Sequence, residues 1–230
     1  MVFEELRQRL LALDTACVCD AKKALRAANP EIHEIRVVNA EIRPIRTGLK
    51  LVGRAHTVSC HNDFLTVIQG LRDAEPGEVL VIDSQGSNRA VTGGLFPTEA
   101  SRKGLAGIVV DGPCRDTTTI RALSIPYYAR SVTPLPGMTA RIFETQIPVQ
   151  CGGVTVIPGD VVFGDDDGLV VATNEEFAEL VPIAEEILRK ERQTIQNMRE
   201  GKSLLEMLNF EEHFEAVRAG KKGSRLEFRV

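Results

Sequence analysis

Apolar residues change their spacing along this chain, and each change marks a different kind of element. Near the start, Phe3, Leu6, Leu10 and Leu13 recur at helical spacing and predict an amphipathic helix over 3–13. A second helix is predicted over 17–28, with Asp14 and Thr15 as candidate caps and Pro30 closing the region. The pattern then switches to short apolar runs alternating with helical stretches. Strands are predicted over 51–60, 78–83, 107–111 and 126–129, with helices over 62–73, up to Lys103, and over 116–123. Pro76-Gly77 reads as a turn. The apolar runs are bounded by turn residues, as in strands buried on both faces, and the connections are short. That order predicts parallel strands joined by helical crossovers.

After Pro134 the spacing changes again. Short strands are predicted over 139–151, 154–157, 160–163 and 168–172, punctuated by Gly152-Gly153, Pro158-Gly159 and Asp165-Asp166-Asp167-Gly168. The acidic run lacks the ligand spacing of a calcium loop and reads as a turn. The last stretch is helical. Thr173 with Glu176 forms a capping box ahead of the apolar stripe Phe177, Leu180, Val181, Ala184, Ile187 and Leu188, and Gly201 stops that helix. Ser203 with Glu206 forms a second box that predicts a last helix to about Val217. The expected division is a domain over 1–173 and a helical C-terminal extension over 174–230, packed on the same domain or on a neighbouring subunit.

Composition narrows the function by exclusion. In 230 residues, 28 Lys and Arg against 32 Asp and Glu give a net charge of −4. No basic block offers a footprint for nucleic acid. The longest apolar runs are too short to span a bilayer, and Glu4 and Glu5 interrupt any leader-like start. The cysteines Cys17, Cys19, Cys60, Cys114 and Cys151 are odd in number and not in a CxxC arrangement, which predicts reduced thiols in the cytoplasm. They read best as small buried hydrophobes. His33, His56, His61 and His213 form no zinc motif. His61 stands at a strand-to-helix junction, where it is either a pocket residue or an ordinary helix start.

Two loops carry candidate chemistry. Gly93-Gly94-Leu95-Phe96 precedes a helix that follows a buried strand, and Pro97 suits its first turn. Glycines there allow close backbone approach, and free amides at a helix start suit an anion. The second loop, Asp111-Gly112-Pro113-Cys114-Arg115-Asp116, follows the next buried strand. Both loops fall at the carboxyl ends of parallel strands, where ligands sit in such folds. Arg115 offers a planar fork for a carboxylate or enolate oxygen, and Asp116 a hard oxygen ligand. On the residues alone, the glycines equally make a plain turn, and Arg115-Asp116 a surface pair or helix start.

The run from Gly104 through Asp116, with Ile120-Arg121-Ala122-Leu123 and 126–134, resembles the RraA-like family. That family includes the class II 4-hydroxy-4-methyl-2-oxoglutarate aldolases and the regulators of ribonuclease E activity. Weaker matches are 18–21, Gly53-Arg54-Ala55, Asn62-Asp63, 76–81 and 158–168, so the resemblance spans about residues 14 to 190. It implies a compact swivelling β/β/α sandwich, like a phosphohistidine domain, with a parallel βαβαβ core. It also implies a homotrimer or a dimer of trimers with the active site between subunits.

Carried over, Arg115 is the catalytic residue that binds pyruvate and stabilises its enolate. Asp116 is the ligand of a divalent metal, Mg²⁺ or Mn²⁺. The amides of Gly93, Gly94, Leu95 and Phe96 hold the substrate carboxylate. The implied activity is a metal-dependent lyase that forms pyruvate from a small 2-oxo acid, by retro-aldol cleavage or by oxaloacetate decarboxylation. No lysine falls in either loop, which disfavours a Schiff-base aldolase. One departure stands out: family aldolases carry an acidic residue where this chain has Gly94. Asp111 is a candidate to compensate, and Gly94 is expected to enlarge the pocket, which would admit a different 2-oxo acid. The alternative is a non-catalytic regulator that docks a protein partner such as a ribonuclease.

Overall fold

A computed structural model describes residues 1–28 and 35–229; the expected stop at Pro30 and His33 lie outside the described residues. Two N-terminal helices, α1 (Phe3–Leu11) and α2 (Thr15–Ala28), come first. The Asp14 carboxylate accepts the Cys17 amide at 2.8 Å and caps α2. Thr15 lies inside the helix, and its hydroxyl donates to Asp165 at 2.7 Å.

The predicted strand–helix alternation is present: β3 (Leu51–Ser59), α3 (Leu65–Asp73), β4 (Glu78–Asp83), α4 (Leu95–Lys103), β5 (Gly107–Cys114), α5 (Thr117–Ala122) and β6 (Tyr127–Val132). Strands β3, β4, β5 and β6 pair in parallel in that order. Antiparallel strands extend the sheet at both edges. Beyond β3 lie β9 (Val161–Gly164), β10 (Leu169–Ala172) and the two-residue β1 (Arg36–Val37); beyond β6 lies β2 (Arg43–Pro44). The run Asp165-Asp166-Asp167-Gly168 is the β9–β10 turn, as expected. The edge pieces β1 and β2 carry two residues each, too few to show a period in the sequence.

Side-chain alternation on the strands separates two faces. Val58, Leu80, Ile82, Ile108 and Val110 bury against α3, α4 and α5. On the same face, towards β9 and β10, Val52, Phe163 and Val170 bury against α1, α2 and the start of α6 (Asn174–Arg199). The opposite face, with Val79, Val81 and Val109, is covered by a hairpin of β7 (Val149–Cys151) and β8 (Val154–Val156). The chain is therefore a mixed α/β fold of three layers: helices, an eight-stranded sheet and a two-stranded hairpin. No helix among the described residues is long and apolar enough to cross a membrane.

Two expected elements differ. Only the end of the 139–151 stretch is a strand. Its first half lies against the start of α3, where Asp63 accepts the amides of Ala140 and Arg141 and Thr66 accepts that of Phe143, and against β3, where the Glu144 carbonyl accepts the Ser59 amide at 2.9 Å. Alternate residues from Phe143 to Cys151 are the less exposed ones, but pairing with β3 is limited to a single Val58–Thr145 bridge, so no strand ladder forms before Val149. The Ser203–Glu206 box forms, but it caps a single 3₁₀ turn, Leu204–Met207. Leu208 is extended and bridges Phe228, so the chain starts again as α7 (Phe210–Arg218). A capping box specifies where a helix begins, not how far it runs.

Candidate functional site

The two loops singled out in the sequence meet at the carboxyl end of β5. Thr92 forms a parallel bridge with Cys114, and the Arg115 amide donates to the Thr92 carbonyl at 3.2 Å. The Thr92 hydroxyl is paired with the hydroxyl of buried Tyr127 on β6. The glycine loop is thus laid along β5 as a short continuation of the sheet. Asp116 then adopts the left-handed conformation, φ 59° and ψ 39°, which turns the chain sharply into α5.

That turn brings Asp116 back over the glycine loop. The Gly94 amide donates to Asp116 Oδ2 at 3.1 Å. Arg115 Nε lies 3.6 Å from the same oxygen, and the two side chains are 41% and 48% exposed. Asp116 Oδ1 has no hydrogen-bond partner among the described residues. Gly93 is required by this approach: a Cβ there would stand 2.5 Å from Asp116 Oδ2 and 3.0 Å from Arg115 Cγ.

Of the four loop amides, two are engaged. Gly94 donates to Asp116, and Phe96 donates to the Gly93 carbonyl at 3.2 Å. The amides of Gly93 and Leu95 have no partner among the described residues. The Phe96 ring turns inward and meets Phe64 edge-on, centroids 6.0 Å apart. Leu95 points outward, 83% exposed.

Asp111 does not join this site. Its Oδ1 accepts Arg130 Nε at 2.5 Å and its Oδ2 accepts the Gly152 amide at 2.6 Å. It belongs to the hairpin face, where Asp83 takes the Gln150 amide at 3.1 Å in the same manner. Nor does Gly94 enlarge a pocket. A Cβ at that position would meet Thr119 Cγ2 at 2.8 Å and Thr119 Cβ at 2.9 Å. The Thr119 methyl therefore stands where a side chain on residue 94 would begin. Sequence reading passed over Thr119; its spacing three residues after Asp116 on α5 was the available signal.

Cys114 sits beside the site, but burial pushes its thiol up to about 11, so it is protonated at neutral pH and no nucleophile. The other buried cysteines behave alike: burial raises Cys60 to about 12 and lifts Cys17 and Cys151 further. His61 lines a separate cleft of about 220 Å³ with Asn62, Arg89 and Arg141, and its Nδ1 lies 3.2 Å from the Gln85 carbonyl. No cluster of three or more His, Cys, Asp or Glu side chains suited to a metal occurs among the described residues.

Fold and site together define a class: an α/β protein in which the carboxyl end of the sheet joins a glycine loop at a helix start to an adjacent Arg-Asp pair. A family profile described as RraA-like, Aldolase/RraA, matches residues 15–171, and the chain belongs to this RraA-like family. It is 37% identical over 175 residues to an uncharacterized protein of Methanocaldococcus jannaschii, a match covering 74% of this chain and 84% of the relative. It is 34% identical over 161 residues, 69% of this chain and 72% of the relative, to a Halalkalibacterium halodurans protein that bears the name "putative 4-hydroxy-4-methyl-2-oxoglutarate aldolase". Among solved structures it resembles the RNA-processing inhibitor RraA from Thermus thermophilis, with a TM-score of 0.58, 31% identity, and coverage of 65% of this chain and 90% of that one.

Proposed function

We propose that this chain is a divalent-metal-dependent lyase that forms pyruvate from a small 2-oxo acid. The reaction is retro-aldol cleavage of the 4-hydroxy-4-methyl-2-oxoglutarate type, decarboxylation of oxaloacetate, or both. One observation carries the reading: Arg115 and the free oxygen of Asp116 stand beside two unpartnered amides at the mouth of β5. Relatives bearing the aldolase name support it.

Both reactions break the bond between the α- and β-carbons of a ketone. The bonding electrons move onto the keto oxygen as an enolate while the far fragment leaves, as carbon dioxide from oxaloacetate or, with the 4-hydroxyl proton passing to solvent, as a second pyruvate; a solvent proton then reaches the enolate carbon to give pyruvate. The amides of Gly93 and Leu95 bind and orient the substrate carboxylate. The Arg115 guanidinium donates to the keto oxygen and gains strength as negative charge grows there. Asp116 suits Mg²⁺ or Mn²⁺, because such ions bind through one or two carboxylates and fill their remaining positions with water and substrate oxygens. When bound, the ion polarises the keto oxygen as a Lewis acid. The Arg115–Asp116 contact holds both groups at one place while each stays half exposed.

That exposure supports the oligomer as well. An enolate needs water kept away, and a single chain leaves this edge open. In this reading the protein works in the cytoplasm as a homotrimer or a dimer of trimers, a neighbouring copy closing the edge. A solution mass equal to one chain would contradict the assembly.

The test is pyruvate release from oxaloacetate with Mg²⁺ or Mn²⁺, above an enzyme-free metal control, repeated with chelator and with Arg115→Ala. The likeness to an RNA-processing inhibitor favours a second reading, a regulator that docks a protein such as a ribonuclease. A folded chain that binds such a partner and turns over no 2-oxo acid would decide for it.

A further inference from the structure

Resting on the lyase reading, we infer that Tyr127 is a positioning residue: its buried hydroxyl clasps the two site loops together and fixes the glycine-loop amides against Arg115. Tyr127 stands on β6 and is fully buried. Its hydroxyl pairs with that of Thr92, the residue before Gly93. The thiol of Cys114, the residue before Arg115, is hydrogen-bonded to the same hydroxyl. Thr92 and Cys114 are buried as well. One phenol thus reaches the last residue ahead of each loop. The backbone repeats the link: Thr92 and Cys114 form a bridge, and the Thr92 carbonyl accepts the Arg115 amide at 3.2 Å.

Filling the core does not require this clasp. Phe at 127 and Val at 92 would occupy nearly the same space, and replacing two bonded partners together by apolar groups of the same shape is close to neutral for stability. A buried hydroxyl pair adds what apolar contact lacks, a preferred distance and direction. The loops above it need that precision. The unpartnered amides of Gly93 and Leu95 lie on one loop and Arg115 on the other, and a small 2-oxo acid has to meet both at once. A shift of about 1 Å between such groups can cost about a hundredfold in rate. Burial pushes the Tyr127 phenol well above its ordinary value, so the hydroxyl keeps its proton and the clasp holds throughout the neutral pH range.

The test compares full-length wild type with Tyr127→Phe, Thr92→Val, Thr92→Ser and the double variant Tyr127→Phe/Thr92→Val. Melting temperature reads stability, oxaloacetate turnover in Mg²⁺ gives kcat and KM, and amide hydrogen exchange reads the loops directly. Tyr127→Phe and Thr92→Val each strand one buried hydroxyl and should lower the melting temperature. The double variant strands neither and should recover most of that loss. Its kcat should nevertheless stay about tenfold or more below wild type, with KM moved by less than about threefold. The amides of Gly94 and Arg115 should exchange about tenfold faster in it, while those of Val81 and Val109 in the sheet keep their rates. Thr92→Ser retains the hydroxyl and should match wild type in kcat and in exchange. Wild-type kcat in the double variant, or unchanged exchange at Gly94 and Arg115, would overturn this inference and leave the lyase reading standing. A wild type without turnover would overturn the lyase reading instead, with loop exchange still deciding the clasp.

Discussion

Gly93 and Asp63 show how single positions decide the shape of this edge. Gly93 lets Asp116 and Arg115 close over the loop. Gly93→Ala is expected to push that pair outward and lower turnover about tenfold or more, with a smaller effect on melting temperature. Parallel activity and thermal-unfolding measurements would separate the two. Asp63 is buried and accepts three amides, those of Leu65, Ala140 and Arg141. Burial alone would push its carboxyl up, but the three donors outweigh it and hold the value below 3.8. Its contribution to stability is therefore full above the unfolded value of 3.8 and is lost as pH falls through the lower folded value. Denaturant midpoints measured from pH 6 down to pH 2 should fall less steeply in Asp63→Asn, which begins less stable. At this scale Arg115 and Asp116 were singled out from sequence, and the structure sets them side by side over the glycine loop. Thr119 was marked only by its spacing from Asp116; that its methyl meets Gly94 depends on the left-handed turn at Asp116, which spacing does not state.

Elements were legible where burial imposes a period. Strands β3, β4 and β5 are buried along nearly their whole length and appear in the sequence as apolar runs. The stretch before β7 pairs with β3 through a single bridge, and side-chain acceptors on Asp63 and Thr66 hold its first half, so most of it is not a strand. The β7–β8 hairpin is tied to the sheet by the same device. Asp83 and Asp111, paired residues on adjacent parallel strands, each accept an amide from the hairpin. Asp111→Ala leaves the Gly152 amide and the Arg130 guanidinium without that partner. It should cost about 2–3 kcal/mol in chemical unfolding, with Mn²⁺ affinity unchanged because Asp111 is no ligand. A matched loss of Mn²⁺ affinity would return Asp111 to the site.

At the scale of the molecule, the parallel β3–β4–β5–β6 core gathers the glycine loop and the Arg-Asp loop at one sheet edge. That convergence followed from strand order and needed no side-chain detail. The three-layer arrangement was legible only through family resemblance, since no local pattern states that the hairpin folds over the sheet face opposite the helices. The commitments of Asp111 and Asp83 lie across the sheet between residues distant in sequence, beyond the reach of periodicity. The central claim concerns what the gathered edge does. The most direct measurement is pyruvate released from oxaloacetate by the full chain in Mg²⁺, above the enzyme-free rate, with chelator and Arg115→Ala alongside. The lyase reading predicts metal-dependent turnover that chelation abolishes and that Arg115→Ala lowers by about a hundredfold or more. Turnover that survives either change, or a folded wild-type protein with none, would contradict it.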